Sequence, residues 1–303
     1  MCMFKSGFIG LTGRTNVGKS TLINAILSKN VVITSDKPQT TRDRINCIYN
    51  TETAQAVFVD CPGFFKPKDL LGQKLNKIIY SVLEDVDIIV AMLDISENIG
   101  PGDKYVIERV KNRVQPKILV LNKTDLLPDK KKPCIADVVF GLRAEFGFFE
   151  NIIPVSAATG DNIDVLLGML IEKLPEGPKY FTDGIITDMP AGKMISEIVR
   201  EKLAENLFDE LPHSVIVEVE NIEKSRTKSS GNITKIECSI YVEKKSHKPI
   251  IIGKSGTMLK KVGQSAREKI EEMLGSRVYL QLWVKVMENW TKNENFLNKL
   301  GYE

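Results

Sequence analysis

Short apolar runs alternate with amphipathic stretches through the first 175 residues. "FIGLTG" predicts a strand and "KSTLINAIL" a helix; "AVFVDCPG" predicts a strand and "LLGQKLNKIIYSVLEDV" a helix. "DIIVAMLD", "KILVLNKTD" and "NIIPVSA" read as further strands. The helical patterns "DKYVIERVKNR" and "IADVVFGLRAEF" separate them, and "NIDVLLGMLIEKL" follows the last. Near-continuous Val/Ile/Leu strands between helices predict a mostly parallel sheet with helices on both faces. "RINCIYNTETAQAVFVD" departs from that rhythm. Two β-like runs flank a polar turn at Thr51–Thr53, which predicts an antiparallel hairpin at a sheet edge.

The helical pattern stops at "KLPEGPKYF", where Pro175, Gly177 and Pro178 interrupt it. We place a first domain over 1–175, a linker over 176–189 and a second domain over 190–303. The second part has a different order. "GKMISEIVREKLAENLF" is a helix. "SVIVEVENIE" and "ITKIECSIYVE" are strands joined by the polar connection "KSRTKSSGN". "HKPIIIGKSG" leads into the helix "TMLKKVGQSAREKIEEML", and "RVYLQLWVKV" is a last alternating strand. Helix–strand–strand–helix–helix–strand is an α+β unit.

Hydrophobic content of 43% and charged content of 27% are ordinary for a globular chain and leave room for two cores. No apolar run approaches the length of a membrane span, and the start "MCMFKSGFIG" has no secretory pattern, so a cytosolic protein is expected. Five scattered cysteines without a CxxC pair, and only two histidines, argue against a disulfide framework or a zinc site. The net charge of +3 conceals a reversal. Acids dominate from Glu197 to Glu223. From Lys244 to Lys269 the cations Lys244, Lys245, Lys248, Lys254, Lys260, Lys261, Arg267 and Lys269 face the single acid Glu268. A charge run is ordinarily a solvated surface; this one is also a candidate polyanion footprint.

"GRTNVGKS" fits G-x-x-x-x-G-K-[ST] with Gly13, Gly18, Lys19 and Ser20, after a strand and at the start of a helix. The glycines let backbone N–H groups wrap phosphates, and the helix dipole favours the negative charge. Lys19 is placed to reach the β- and γ-phosphates and Ser20 to ligate Mg²⁺. With Arg14, Thr15, Asn16, Val17 and Thr21 these residues form the candidate phosphate-binding stretch. "DCPG" then ends a strand. Asp60 is placed to hold Mg²⁺ through water and Gly63 to offer its N–H to the γ-phosphate, with Cys61, Pro62 and Phe64 in the same stretch. In "NKTD", Asp125 can accept two hydrogen bonds from guanine N1–H and its amine. Asn122 can tie this loop to the phosphate loop, the Lys123 stem can cover the base, and Thr124 lies between. "SAA", Ser156, Ala157 and Ala158, can place an N–H on guanine O6. Each of the last three motifs is weak alone.

In this order along one α/β domain the four motifs resemble those of the small GTPase superfamily, whose ligands sit at the carboxyl ends of the strands. The resemblance implies GTP and GDP as ligands with Mg²⁺. It also makes "SDKPQTTRDRI" the first switch segment, with Thr41 favoured to complete the Mg²⁺ shell and Thr40 as second choice. The familiar glutamine after D-x-x-G is replaced by Phe64, which cannot orient water. Catalysis is then left to positioning and charge neutralisation by Lys19, Asn16, Thr41 and Gly63. In related ribosome and tRNA-modifying GTPases an asparagine at the Asn16 position helps bind a potassium ion.

A second Gly-Lys-Ser lies in "IIGKSGTM", but the residue five before Gly253 is Lys248, so the phosphate-loop pattern fails. What remains is G-x-x-G: Gly253, Lys254, Ser255 and Gly256, followed by Lys260 and Lys261. In its six-element setting this resembles a type II KH domain, in which the G-x-x-G loop clamps the backbone of single-stranded nucleic acid. A GTPase domain followed by such a unit resembles the Era family of bacterial ribosome-assembly GTPases over nearly the entire chain. "GRTNVGKSTLINAI", "QTTRDRI", "YLQLWVKV" with "ENW", and "LGY" carry the match. The resemblance implies GTP hydrolysis and binding near the 3′ end of 16S rRNA on the 30S subunit. It further implies a cytoplasmic protein with a peripheral inner-membrane fraction, and a monomer is expected. The Der family, with two GTPase domains, is excluded by the single phosphate loop. A GTP-controlled RNA switch and a constitutive RNA-binding scaffold with structural nucleotide both remain open, and an ATP-using P-loop kinase would lack guanine preference. Hydrolysis by the isolated protein is expected to be slow and to rise when K⁺ replaces Na⁺; equal rates in the two salts would remove Asn16 from the mechanism.

Overall fold

A computed structural model describes the chain apart from residues 1–2, 35–40, 128–134, 208–210, 228–230 and 303. It divides into two units, Met1–Pro67 with Gly72–Asp188, and Lys68–Leu71 with Met189–Glu303.

In the first unit the elements run β1 (Lys5–Gly13), α1 (Lys19–Leu27), β2 (Ile45–Asn50), β3 (Ala54–Asp60), α2 (Leu70–Asp85) and β4 (Ile88–Asp94). They continue with α3 (Pro101–Lys111), β5 (Lys117–Asn122), α4 (Ile135–Glu145), β6 (Asn151–Pro154) and α5 (Ile163–Lys173). The sheet order is β2-β3-β1-β4-β5-β6. All neighbours are parallel except β2 and β3, the expected hairpin. Every residue of β3, β4 and β5 is buried, because helices cover both faces. Ile79, Val82 and Leu83 of α2 and Val106, Ile107 and Val110 of α3 pack against Ile89, Ala91, Leu93, Leu119 and Leu121. Parallel pairing brings the carboxyl ends of five strands, and the loops that follow them, to one edge of the sheet.

The stretch expected as a linker over 176–189 lies, as far as Asp188, along the first unit. Glu176 bridges to Lys5 and Thr187 to Cys47, and the Ile48 N–H donates to Ile186 O at 3.0 Å. Asn46 donates to Asp188. Gln55, fully buried on β3, fastens the middle of the stretch. Its Oε1 accepts from the N–H groups of Tyr180 and Phe181 at 2.7 and 3.0 Å, and its amide donates to Phe181 O at 2.9 Å. The edge strand β2 is thereby covered.

The second unit runs α6 (Ala191–Asn206), β7 (Val215–Thr227), β8 (Gly231–Val242), α7 (His247–Ile252), α8 (Thr257–Leu274), β9 (Arg277–Val286) and α9 (Glu294–Lys299). β8 is central, antiparallel to β7 and parallel to β9. Ile195, Val199 and Leu203 of α6 and Val262, Ala266 and Ile270 of α8 form stripes at helical spacing. They pack on Ile236, Cys238 and Ile240 of the sheet. On the other face Phe296 of α9 meets Tyr241 edge-on at 5.0 Å, and fully buried Trp290 donates its Nε1–H to Ser214 O.

β7 contains an irregularity between Val219 and Asn221. Val215, Val217 and Val219 turn inwards, yet beyond Glu220 the even-numbered Ile222 lies opposite inward-facing Ile236. Glu220 is the extra residue of a β-bulge. The polar connection "KSRTKSSGN" is shorter than the sequence suggested. β7 continues to Thr227 and β8 starts at Gly231, and residues 228–230 lie outside the described residues. Backbone pairing needs no apolar side chains where a hairpin projects into solvent, so polarity concealed the strands. Among the described residues no helix is long and apolar enough to cross a membrane.

Gln55→Leu leaves three backbone groups of the 180–181 turn without their partner. It is expected to lower stability by roughly 1–3 kcal/mol and to open 176–188 to protease. Unchanged unfolding and unchanged cleavage would show that the stretch is held by other contacts.

Candidate functional site

β1 ends at Gly13 and α1 begins at Lys19, so Arg14, Thr15, Asn16, Val17 and Gly18 form the turn between strand and helix. Gly18 has φ +95°, and a Cβ there would lie 2.3 Å from the Asn122 amide nitrogen. Asn16 is exposed with φ +64°. The D-x-x-G loop is sewn to this turn, since Phe64 N–H donates to Gly13 O at 2.9 Å. Gly63 passes so close that a Cβ would sit 2.6 Å from Thr15 N. Pro62 and Cys61 are buried beside it, and the Cys61 thiol donates to Leu11 O.

Lys19 is buried and its Nζ donates to Arg14 O at 3.0 Å. Desolvation lowers the Lys19 pKa and raises that of Asp60, and the attraction between the two opposes both shifts. Such a site gains from added ligand charge, since phosphates complement the lysine and a cation complements the carboxylate. Ser20 Oγ donates to Asp60 Oδ2 at 2.8 Å, and Thr41 Oγ1 donates to the same oxygen at 3.3 Å. The two hydroxyls are 3.2 Å apart. The other carboxylate oxygen, Asp60 Oδ1, is buried without a protein partner. Three convergent hard oxygens with one orphaned lone-pair site fit a small hard cation such as Mg²⁺. Thr40 lies outside the described residues, as does the rest of "SDKPQT". Thr21 follows on the first turn of α1.

The loops after β5 and β6 meet at Asn122. Its amide donates to Val17 O at 2.8 Å, and its carbonyl accepts from Ala157 N–H at 3.0 Å. Ser156 Oγ donates to Asp125 Oδ1 at 2.6 Å and so orients that carboxylate. Lys123 takes a left-handed backbone, φ +67°, with Thr124 opening a short turn after it. Ala158 is exposed at the end of the "SAA" loop. The geometry therefore brings the phosphate, D-x-x-G, NKxD and SAA residues to one edge.

The sequence reading missed several residues. Asp94, at the end of β4 and nearly buried, pairs with Lys123 at 2.6 Å and anchors the ammonium whose stem was expected to cover a base. An acid closing an apolar strand on the ligand edge was the available signal. Arg14 is held by buried Asp103 at 2.7 Å and by Glu97 at 3.5 Å. Asp103 also accepts the Gly100 N–H at the start of α3. Nothing local in the sequence marks that pairing. Phe64 is buried edge-on to Tyr80 and Tyr105, with ring centroids at 5.7 and 5.9 Å.

In the second unit the G-x-x-G stretch turns from α7 into α8. Gly253 and Gly256 have φ +75° and +78°, and Ser255 between them has φ +52°. A Cβ on Gly253 would meet Met258 at 2.7 Å, whereas Gly256 faces open space. Lys254, Lys260 and Lys261 are exposed. Gly256, Leu259, Lys260 and Arg267 border a groove of about 540 Å³, and Tyr279 and Leu282 of β9 form its far wall. Lys261 points outside that lining. A groove with bare glycine backbone and cations at one lip and apolar walls suits an unpaired polynucleotide strand.

A family model described as a 50S ribosome-binding GTPase matches residues 8–123, and a KH domain model matches 210–291. GTPase Era of Caldanaerobacter subterraneus subsp. tengcongensis is 47% identical over 99% of this chain and 98% of its own length. GTPase Era of Clostridioides difficile is 46% identical over 99% of both. Era in complex with MgGDPNP and nucleotides 1506–1542 of 16S ribosomal RNA superposes with a TM-score of 0.94, at 36% identity over 99% of both chains. A variant of Aquifex aeolicus Era bound to GDP and AlF4⁻ gives 0.92 at 37% identity, again over 99% of both. Two domain models in this order and end-to-end similarity lead to one conclusion: the chain belongs to the Era family of GTPases.

Proposed function

We propose that this GTPase is a nucleotide-controlled RNA-binding switch. Its second unit holds the 3′ region of small-subunit rRNA and its first unit times release during assembly of the 30S subunit in the cytoplasm. The observation that carries the reading is the convergence of Ser20 and Thr41 on one oxygen of Asp60. That cluster is a γ-phosphate sensor only if Thr41 can leave when the phosphate does, and a purely structural nucleotide would have no use for it. The RNA target is supported by the Era complex that holds nucleotides 1506–1542 of 16S ribosomal RNA.

Ser20, Thr41 and Asp60 would hold Mg²⁺, which would neutralise charge on the terminal phosphates. Lys19 and the N–H groups of residues 14–20, with that of Gly63, would bind those phosphates. Asn16, exposed on the rim of the loop, would offer its carbonyl to K⁺. Phe64 takes no part in orienting water, because its ring is packed between two tyrosines. Asp125, oriented by Ser156, would read guanine, and Ala157 or Ala158 would donate to O6. Gly253–Gly256 would clamp the RNA backbone, with Lys254, Lys260 and Lys261 supplying charge.

Three results are expected. Asp125→Asn should weaken GTP binding about tenfold to a hundredfold and favour xanthosine triphosphate; unchanged preference would sink the base assignment. RNA of the 1506–1542 sequence should bind with different affinity to the protein loaded with GDP and with a non-hydrolysable GTP analogue, and equal affinities would favour the scaffold. Lys254→Asp with Ser255→Asp should abolish RNA binding while sparing GTP hydrolysis, measured as phosphate release.

A further inference from the structure

β9 alternates strictly. Val278, Leu280, Leu282, Val284 and Val286 pack with the core, and the odd-numbered residues lie on the outer face of the sheet. On that face Tyr279 is 52% exposed and Trp283 56%. Their register partners on β8 are Lys235 and Ser239. Among the described residues no other aromatic ring and no cation engages the Trp283 indole. The fold takes little from these rings, since a short polar side chain opposite Ser239 would serve the sheet as well. The α9 segment meets the outer face at Tyr241, through Phe296, and at Glu218, through Lys299, and leaves Trp283 exposed.

Two further observations say what covers the pair. The first is charge. Arg277 and Lys285 share the outer face of β9 with the two rings, and Lys260 and Arg267 stand on the groove beside them. Lys285 is paired with Glu220 of β7 and Lys235 with Glu237 of β8, while Glu218 and Glu223 lie on the β7 side, so positive charge is concentrated at Arg277, Lys260 and Arg267 beside Tyr279. A polyanion is drawn to the β9 edge and repelled from the other. The second is continuity. Tyr279 belongs both to the exposed face and to the wall of the groove that begins at Gly256. Among the described residues β9 has no strand neighbour beyond it, so a chain can pass from groove to face around its edge.

We propose that Tyr279 and Trp283 are a base-stacking platform, on which the RNA strand clamped at Gly253–Gly256 continues around β9 and stacks two unpaired bases. The rings stand roughly 13 Å apart along the strand, with Gln281 between them on the same face, far enough for each to carry its own base. The platform rests on the RNA-binding reading of the G-x-x-G groove and extends it. The groove supplies phosphate contacts to about four nucleotides, and the platform supplies π-faces that tolerate any base. Arg277 stands at the Tyr279 end of this row, and Lys285, paired with Glu220, at the Trp283 end.

The test uses the full chain loaded with a non-hydrolysable GTP analogue and two RNAs. One is 16S nucleotides 1506–1542; the other is a groove-filling oligomer of about four nucleotides. The protein has two tryptophans, and Trp290 is fully buried, so acrylamide quenching reports Trp283. The long RNA should shield Trp283 from acrylamide and the short one should not. Trp283→Ala should weaken the long RNA about tenfold, leave the short one unchanged, and leave both GTP hydrolysis and the salt slope of binding intact. Trp283→Phe should recover most of the affinity. Long RNA that binds Trp283→Ala with wild-type affinity while Trp283 stays quenchable in the wild type overturns the platform and gives the face to a protein partner. Failure of the wild type to bind either RNA, by contrast, overturns the groove itself.

Discussion

A loop that binds phosphate cannot use its own N–H groups to hold itself in shape. That constraint governs the nucleotide site. The turn from Gly13 to Lys19 must keep its donors directed at the ligand, so its order has to come from outside. Asn122 supplies much of it, donating to Val17 O and accepting from Ala157 N–H. One side chain thereby registers three loops that are more than a hundred residues apart at the extremes. Gly18 leaves room for it, because any Cβ would collide with the Asn122 amide. Phe64 N–H and Gly63 complete the frame from the β3 side. Base recognition and phosphate binding share this frame, since the residue that fixes the phosphate loop also fixes the loop beside Asp125.

Much of this was readable along the chain. The element order followed from apolar periodicity, and each loop motif reflects a local backbone requirement: glycine for positive φ or close approach, lysine at the helix start, acid at the strand end. What was not readable is the pairing of residues distant in sequence. Arg14 with Asp103, and Gln55 with Phe181, are specified by tertiary proximity and leave no local signature. Lys123 was legible as a residue of the base loop but not as the partner of Asp94. The strand ends beyond Glu223 were hidden for another reason, since an exposed hairpin can pair through its backbone while its side chains look like a loop.

The two Gly-Lys-Ser loops solve different problems with the same letters. Around Lys19 the loop is enclosed, and its cation is buried, partly deprived of water and faced by Asp60. Around Lys254 the cation is exposed and Gly256 opens onto solvent. The enclosed loop suits a small ligand with concentrated charge. The open one suits a long ligand whose charge is spread along a strand and whose binding is set by counterion release.

The bulge at Glu220 has a consequence for how this hairpin can change. A strand counts in twos, and an extra residue shifts the count. Before Glu220 the odd positions of β7 face the core; after it the even ones do. Deleting Glu220 itself would therefore restore a regular ladder, with Val219 still opposite Cys238 and Asn221 still opposite Glu237, whereas deleting one residue between Asn221 and Thr227 would move everything on one side of the gap to the other face. The first deletion would remove the carboxylate that accepts from Lys285 and Ser239 on the outer face. Length is fixed along this segment everywhere but at the bulge, which its polar sequence does not reveal.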